Sequence, residues 1–106
     1  MKFSECSKNQ QWAVRMMQKL GYGDICGLQI KDGQPQINPA PELWQTEKFG
    51  INRPLPEIAP TDFVLHKQHV CFLKHIERLQ NEVIPVIQIH DGLPLIYKRK
   101  VSSGLI

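Results

Sequence analysis

The sequence predicts an α+β fold made of internally duplicated helix–hairpin (αββ) units, with an antiparallel sheet covered on one face by helices. Three observations predict it. Residues Ser7–Asn38 align without a gap onto His66–Tyr97, and both stretches carry the string Gln-Ile-x-Asp-Gly-x-Pro-x-Ile, which marks an internal repeat. Each stretch opens with apolar residues at helical spacing. Each closes with apolar alternation around an Asp-Gly pair, the dipeptide favoured in two-residue hairpin turns. The 106 residues suit a single domain, 1–106. Its parts are a first αββ repeat at 7–38, a proline-rich connector with a short helix at 39–60, and a second αββ repeat at 61–101.

The first helix begins at Ser7. Ser7-Lys8-Asn9-Gln10 has the form of a capping box, in which Ser7 and Gln10 satisfy each other's orphan amide donors. Val14, Met17 and Leu20 mark its apolar face, and Gly21 or Gly23 supplies the positive φ that ends it. In the second repeat Pro60-Thr61-Asp62 reads as the start signal. Leu65, Phe72, Leu73, Ile76 and Leu79 then form the apolar face, and Asn81 is the residue suited to a left-handed cap.

The two Asp-Gly turns, Asp32-Gly33 and Asp91-Gly92, set a register. Lys31 should face Gln34, Ile30 should face Pro35, and Leu28 should face Ile37. Leu28, Ile30, Pro35 and Ile37 then share one face, matched in the second repeat by Ile87, Ile89, Pro94 and Ile96. Cys26 falls on that same face and reads as a small buried hydrophobe. Pro35 and Pro94 stand opposite Ile30 and Ile89 at sites where a missing N–H is tolerated, so the second strand of each hairpin should be an outer one. A four-stranded sheet with the two first strands central fits this, and so does a domain-swapped or dimeric pairing.

The connector holds five of the eight prolines. Pro41 and Gly50 bracket a predicted short helix, Glu42–Phe49, with Trp44 and Phe49 on its buried side. Arg53–Pro60 reads as an extended strap, and Lys98–Ile106 as a fraying tail.

Composition narrows the function. Apolar content of 42% suits a globular protein, and a net charge of +3 permits an acidic partner without requiring one. Three cysteines without a C-x-x-C suit a reducing cytoplasm. No run of residues approaches a membrane span, and the polar start, Met1–Gln11, has no signal-peptide pattern. No phosphate loop or nucleophile elbow is present, and no acid, base and nucleophile converge by motif; the chain reads as non-enzymatic and without a cofactor. His66, His69 and Cys71 form H-x-x-H-x-C, but the first repeat has Ser7, Gln10 and Trp12 there. Solvated or partly packed histidines are the ordinary reading, and no metal is expected.

Basic residues give the most specific candidate site. Lys8, Arg15 and Lys19 stack in one stripe on the first helix, and Lys67, Lys74 and Arg78 repeat it on the second. Lys98, Arg99 and Lys100 extend the last strand. Two quasi-equivalent stripes can meet successive phosphates of a nucleic acid, although the outer face of a surface helix is ordinarily charged and solvated. The alternative is a protein-interaction or oligomerisation module that uses strand edges and the connector, with Trp44 and Phe49 as its contacts.

Gly23, Ile25, Leu28, Ile30, Asp32-Gly33 and Ile37, with Ile84, Ile87, Ile89, Asp91-Gly92 and Ile96 in the second repeat, give each half a pattern that resembles the YezD-like family. These are very small bacterial proteins of unknown function with one helix–hairpin unit. The second repeat departs from the pattern with Glu82 in place of the glycine. The resemblance suggests a bacterial or phage origin and implies no activity; the chain itself reads as a small regulatory or accessory binding protein.

Overall fold

The computed structural model describes residues 1–50 and 62–99. The chain is α+β, with two helices and a curled antiparallel sheet. After a turn of 3-10 helix at Phe3–Glu5 come α1 (Lys8–Leu20), β1 (Gly23–Lys31), β2 (Gln34–Pro35), β3 (Glu42–Gln45), α2 (Lys67–Leu79), β4 (Glu82–His90) and β5 (Leu93–Lys98). No helix among the described residues is long and apolar enough to cross a membrane. The capping box closes as its residues require: Gln10 N–H donates to Ser7 Oγ at 3.2 Å, and Ser7 N–H donates to Gln10 Oε1 at 2.9 Å.

The sheet runs β2–β1–β4–β5, and β3 also pairs with β1. The two first strands are therefore central. Ile30 lies opposite Pro35 and Ile89 opposite Pro94, as the turns dictate. β1 and β4 pair from Gly23↔Ile89 to Ile30↔Glu82, with a single gap where Gly27 meets Pro85. Pro85 has no N–H to offer the ladder, and Gly27 takes φ +73°. Side-chain alternation slips by one residue on both strands there. Ile25 and Leu28 are both buried, and so are Ile84 and Ile87. Strict alternation from Leu28 therefore misplaces Cys26, which is half-buried on the other side, while Ile25 joins the core. Those isoleucines pack with Val14, Met17, Leu20, Leu65, Leu73 and Ile76 in one cluster to which both helices contribute. Each fully buried aliphatic side chain is worth roughly 1.5–3 kcal/mol.

The hairpin turns hold the halves together. Gly33 N–H donates to Gln80 O at 2.9 Å, and Gly92 N–H donates to Gly21 O at 2.8 Å. Each turn thus satisfies a carbonyl just past the helix of the other half. The approach is close: a Cβ at Gly33 would lie 3.1 Å from Glu77 Cα, and one at Gly92 would lie 3.3 Å from Gln18 Cα. Both Asp residues of the turns have φ 52°, and both glycines have φ 75°.

Several expectations are corrected. Glu42–Phe49 is not a helix: Glu42–Gln45 is a strand paired with Gly23–Cys26. The cause is β2, which is only two residues long and leaves that edge of β1 unpaired; an eight-residue helix is marginal in water, whereas a strand satisfies backbone groups on both partners. Trp44 and Phe49 are consequently exposed, at 59% and 104%. Ile37 lies beyond the end of β2 and is exposed. Ile96 is exposed because the register of β5 shifts at Leu95, so Ile96 faces Gln88 instead of Ile87. The left-handed residue ending α2 is Gln80, at φ 60°, and not Asn81. The strap at Arg53–Pro60 and the tail from Lys100 onward lie outside the described residues.

The start of α2 is also moved. Its N-cap is His66, because the residues before it are held extended by the chain's own beginning. Lys2 pairs with Val64, Phe3 N–H donates to Phe63 O at 2.8 Å, and Leu65 N–H donates to Met1 O at 2.9 Å. Asp62, from the expected start signal, instead accepts from Ser4 N–H (3.0 Å) and Ser4 Oγ (2.9 Å). These bonds favour its ionised form and hold its carboxyl below the usual range.

Gly33→Ala and Gly92→Ala should each destabilise the protein by more than the about 1–2 kcal/mol that left-handed strain alone costs. Gly27→Ala, whose Cβ meets nothing within 4 Å, should cost only that strain. Urea unfolding of the three variants checks the order.

Candidate nucleic-acid interface

Both helices expose mainly basic chemistry. α1 carries Lys8, Arg15 and Lys19 and no carboxylate, and α2 carries Lys67, Lys74 and Arg78 against Glu77. Lys8, Lys19, Lys67, Lys74 and Arg78 are exposed. Their positions along the helices differ in cost. Lys19 and Arg78 stand in last turns, where a cation is stabilised by the helix dipole. Lys8 and Lys67 are the first residues of their helices, where a cation opposes the dipole, and neither first turn holds an acidic residue to offset it. Helix stability therefore explains Lys19 and Arg78 but does not explain Lys8 and Lys67.

Arg15 is placed differently. Its guanidinium lies 4.4 Å from the centroid of Phe3 and 5.4 Å from that of Phe63, over two rings stacked 5.0 Å apart. It also donates to Gln18 Oε1 at 3.3 Å. A cation over aromatic faces is worth about 0.5–2 kcal/mol, so Arg15 serves the clamp between the N-terminus and α2. Its sequence counterpart Lys74 is exposed. The two stripes are thus unequal, and long-range pairing of Phe3 with Phe63 is the cause. On the last strand Lys98 is exposed, and Arg99 is paired with Glu82 at 3.0 Å. Lys100 lies outside the described residues.

The His–Cys motif does not assemble. His69 is buried, and its Nε2 bonds Gly92 O at 3.0 Å. His66 is exposed with its ring 6.0 Å away, and Cys71 is exposed. No group of three or more metal-ligating side chains comes together among the described residues. A groove of about 510 Å³ separates α2 from β5, lined by Cys71, Phe72, Ile76, Leu95 and Tyr97. His75 crosses it to bond Tyr97 OH. Sequence reading missed this groove because its walls, α2 and β5, are brought together only by the fold. A second cleft, between α1 and β3, is lined by Trp12, Met16, Lys19 and Leu43.

Among the described residues, the chain thus presents basic helix faces and clefts beside both helices. Comparison of the chain with protein-family models, curated proteins and solved structures returns no match.

His69 gives the fold a pH dependence. The carbonyl of Gly92 can only accept, so Nε2 carries the proton and Nδ1 is bare, with no hydrogen-bond partner among the described residues. Burial disfavours the imidazolium and lowers its pKa from the ordinary 6.5, against the Gly92 bond that raises it. The unfolded chain therefore takes up this proton first. Stability contributed by neutral His69 is complete above about pH 6.5 and is lost as pH falls through and below that value. His69→Gln installs the residue found at the matching position of α1, Gln10, and should remove this part of the acid sensitivity. Urea midpoints of both proteins between pH 7.5 and 5, a range chosen about the histidine value, provide the check.

Proposed function

We propose that this is a small non-enzymatic binding protein, regulatory or accessory in role, that contacts nucleic acid through the outer faces of α1 and α2. The observation that carries the reading is the pair of lysines that open the helices. Lys8 and Lys67 sit where a cation weakens a helix, at matching places, with no acidic residue in either first turn. Exposed Lys74, Lys19 and Arg78 continue the same faces. Phosphate contact gives these cations a use that folding does not.

In this reading the two halves are copies of one αββ unit whose helices lie over the same face of the sheet. The matching order α1–β1–β2 and α2–β4–β5, equal helix lengths of 13 residues and equal first strands of 9 residues support it. Such a pair presents two related basic surfaces to a repeating polyanion. The resemblance of each half to the YezD-like family rests on hairpin residues and adds no activity to this proposal. Free Cys6, Cys26 and Cys71 fit a reducing cytoplasm.

Fluorescence anisotropy of labelled duplex and single-stranded DNA and RNA tests the reading. Affinity should fall steeply with salt, by a logarithmic slope of about 0.9 per phosphate neutralised on duplex DNA. Changing Lys8, Lys67, Lys74 and Arg78 to Gln should weaken binding on every sequence by at least about tenfold, which is 1.4 kcal/mol. Arg15→Gln should instead lower stability and leave the salt slope nearly unchanged. Absence of binding at low salt, or binding indifferent to both salt and the four substitutions, refutes the proposal.

A further inference from the structure

The sheet has a second face whose composition is self-complementary. Residues directly opposite each other in an antiparallel ladder point to the same side. The register therefore lines up two rows across four strands on the side away from Ile25 and Ile87. One row is Glu42–Cys26–Val86–Lys98, and the other is Trp44–Asp24–Gln88–Ile96. Both rows stay at the surface. Glu42, Trp44, Ile96 and Lys98 are exposed, and Asp24, Cys26, Val86 and Gln88 are half-buried. Beside them Val83, opposite Gln29, is also exposed.

From this arrangement we infer that the open sheet face is the contact between two copies of this chain, stacked face to face about a two-fold axis parallel to the central strands. Such an axis lays each row on itself in reverse order. Glu42 then meets Lys98 of the second copy, and Lys98 meets its Glu42. Cys26 packs on Val86, Trp44 on Ile96, and Asp24 faces Gln88. Opposite charges at the two ends of one row and apolar side chains at the two ends of the other are the arrangement that such an axis satisfies. A two-fold axis perpendicular to the strands would instead leave the row unreversed, with Glu42 on Glu42 and Lys98 on Lys98, a repulsive stacking.

The size and geometry of the face agree. Strands of four, nine, nine and six residues, at about 3.3 Å per residue and about 4.8 Å apart, give a face on the order of 450 Å² per copy. The pair buries on the order of 900 Å² before side-chain relief is counted, which is below the standard size and falls among weak, transient contacts. Two twisted sheets pack aligned at about 30° and about 10 Å, which keeps the central rows in register. Isologous contact of this kind closes at two copies. The dimer is a weak one, and it leaves the outer faces of α1 and α2 free. It does not depend on nucleic-acid binding.

Sedimentation velocity from micromolar to millimolar protein tests it. The mass should rise from one chain to two. Glu42→Lys and Lys98→Glu should each weaken association by about tenfold or more, or 1.4 kcal/mol, and the double variant should restore it. Trp44→Ser should weaken it without touching a charge. As a second readout, the Cys26 thiol should be labelled more slowly at high protein concentration, with Cys71→Ser used to remove the exposed competing thiol. Circular dichroism confirms that each variant folds. A single-chain mass across the range overturns the inference. So does a dimer indifferent to the charge variants and to Trp44→Ser, or a double variant that stays as weak as the singles.

Discussion

The reciprocal docking of each hairpin turn onto the other half's helix end is the constraint on which the rest of the structure depends. Gly33 serves Gln80, and Gly92 serves Gly21. An Asp-Gly turn supplies two needs at once in this protein. Its left-handed φ values make the hairpin, and its missing Cβ lets the backbone come within contact of Glu77 or Gln18 in the opposite helix. Because the contact is exchanged in both directions, neither half completes its own helix terminus. Burial of the shared isoleucines and closure of the helix ends become parts of one cooperative unit.

That exchange fixes where the strands can go. β1 and β4 lie side by side and antiparallel, and the pairing of Gly27 with Pro85 is the one place where their ladder fails. Side chains on both strands change sides there, so each strand brings three leucine or isoleucine residues to the core, one before the break and two after it. A regular strand would have delivered Cys26 and Val86 to the core in their place. The curl of the sheet is the backbone consequence, since irregular pairing bends and twists the strands around it. His69 ties the second turn down once more through Gly92 O, at the cost of a bare buried Nδ1.

Much of this was legible in the sequence, for reasons that are local. The capping box at Ser7, the turns at Asp32 and Asp91, the pairing of Ile30 with Pro35 and the central placement of the first strands each follow from residues close in the chain. The departures are all long-range. Glu42–Gln45 is a strand because a distant edge of β1 lacks a partner, which no property of Pro41–Gly50 reveals. Arg15 looks like a member of a surface stripe until Phe3 and Phe63 meet beneath it. The change of side at Gly27 was available from the spacing Ile25, Leu28, Ile30, repeated as Ile84, Ile87, Ile89, and strict alternation overlooked it. Of the candidate site, the exposed lysines were readable, and the neutralisation of Arg99 by Glu82 was not.

The surface cations then divide by what the fold can account for. Arg15 is held by aromatic rings, Arg99 by a carboxylate, and Lys19 and Arg78 by the dipoles of their own helices. Lys8, Lys67 and Lys74 have no such account. Two of these stand where electrostatics within the helix works against them, and the penalty in the first turn is of the order of 0.3–1 kcal/mol for each. A protein this small, with a net stability of about a tenth of a kcal/mol per residue, has little reason to carry that twice at matching places for the sake of folding. An anion brought to those helix starts would reverse the sign of the interaction, because the lysine and the positive end of the helix dipole then act on it together. The same residues that weaken the isolated helices would strengthen a complex with phosphate.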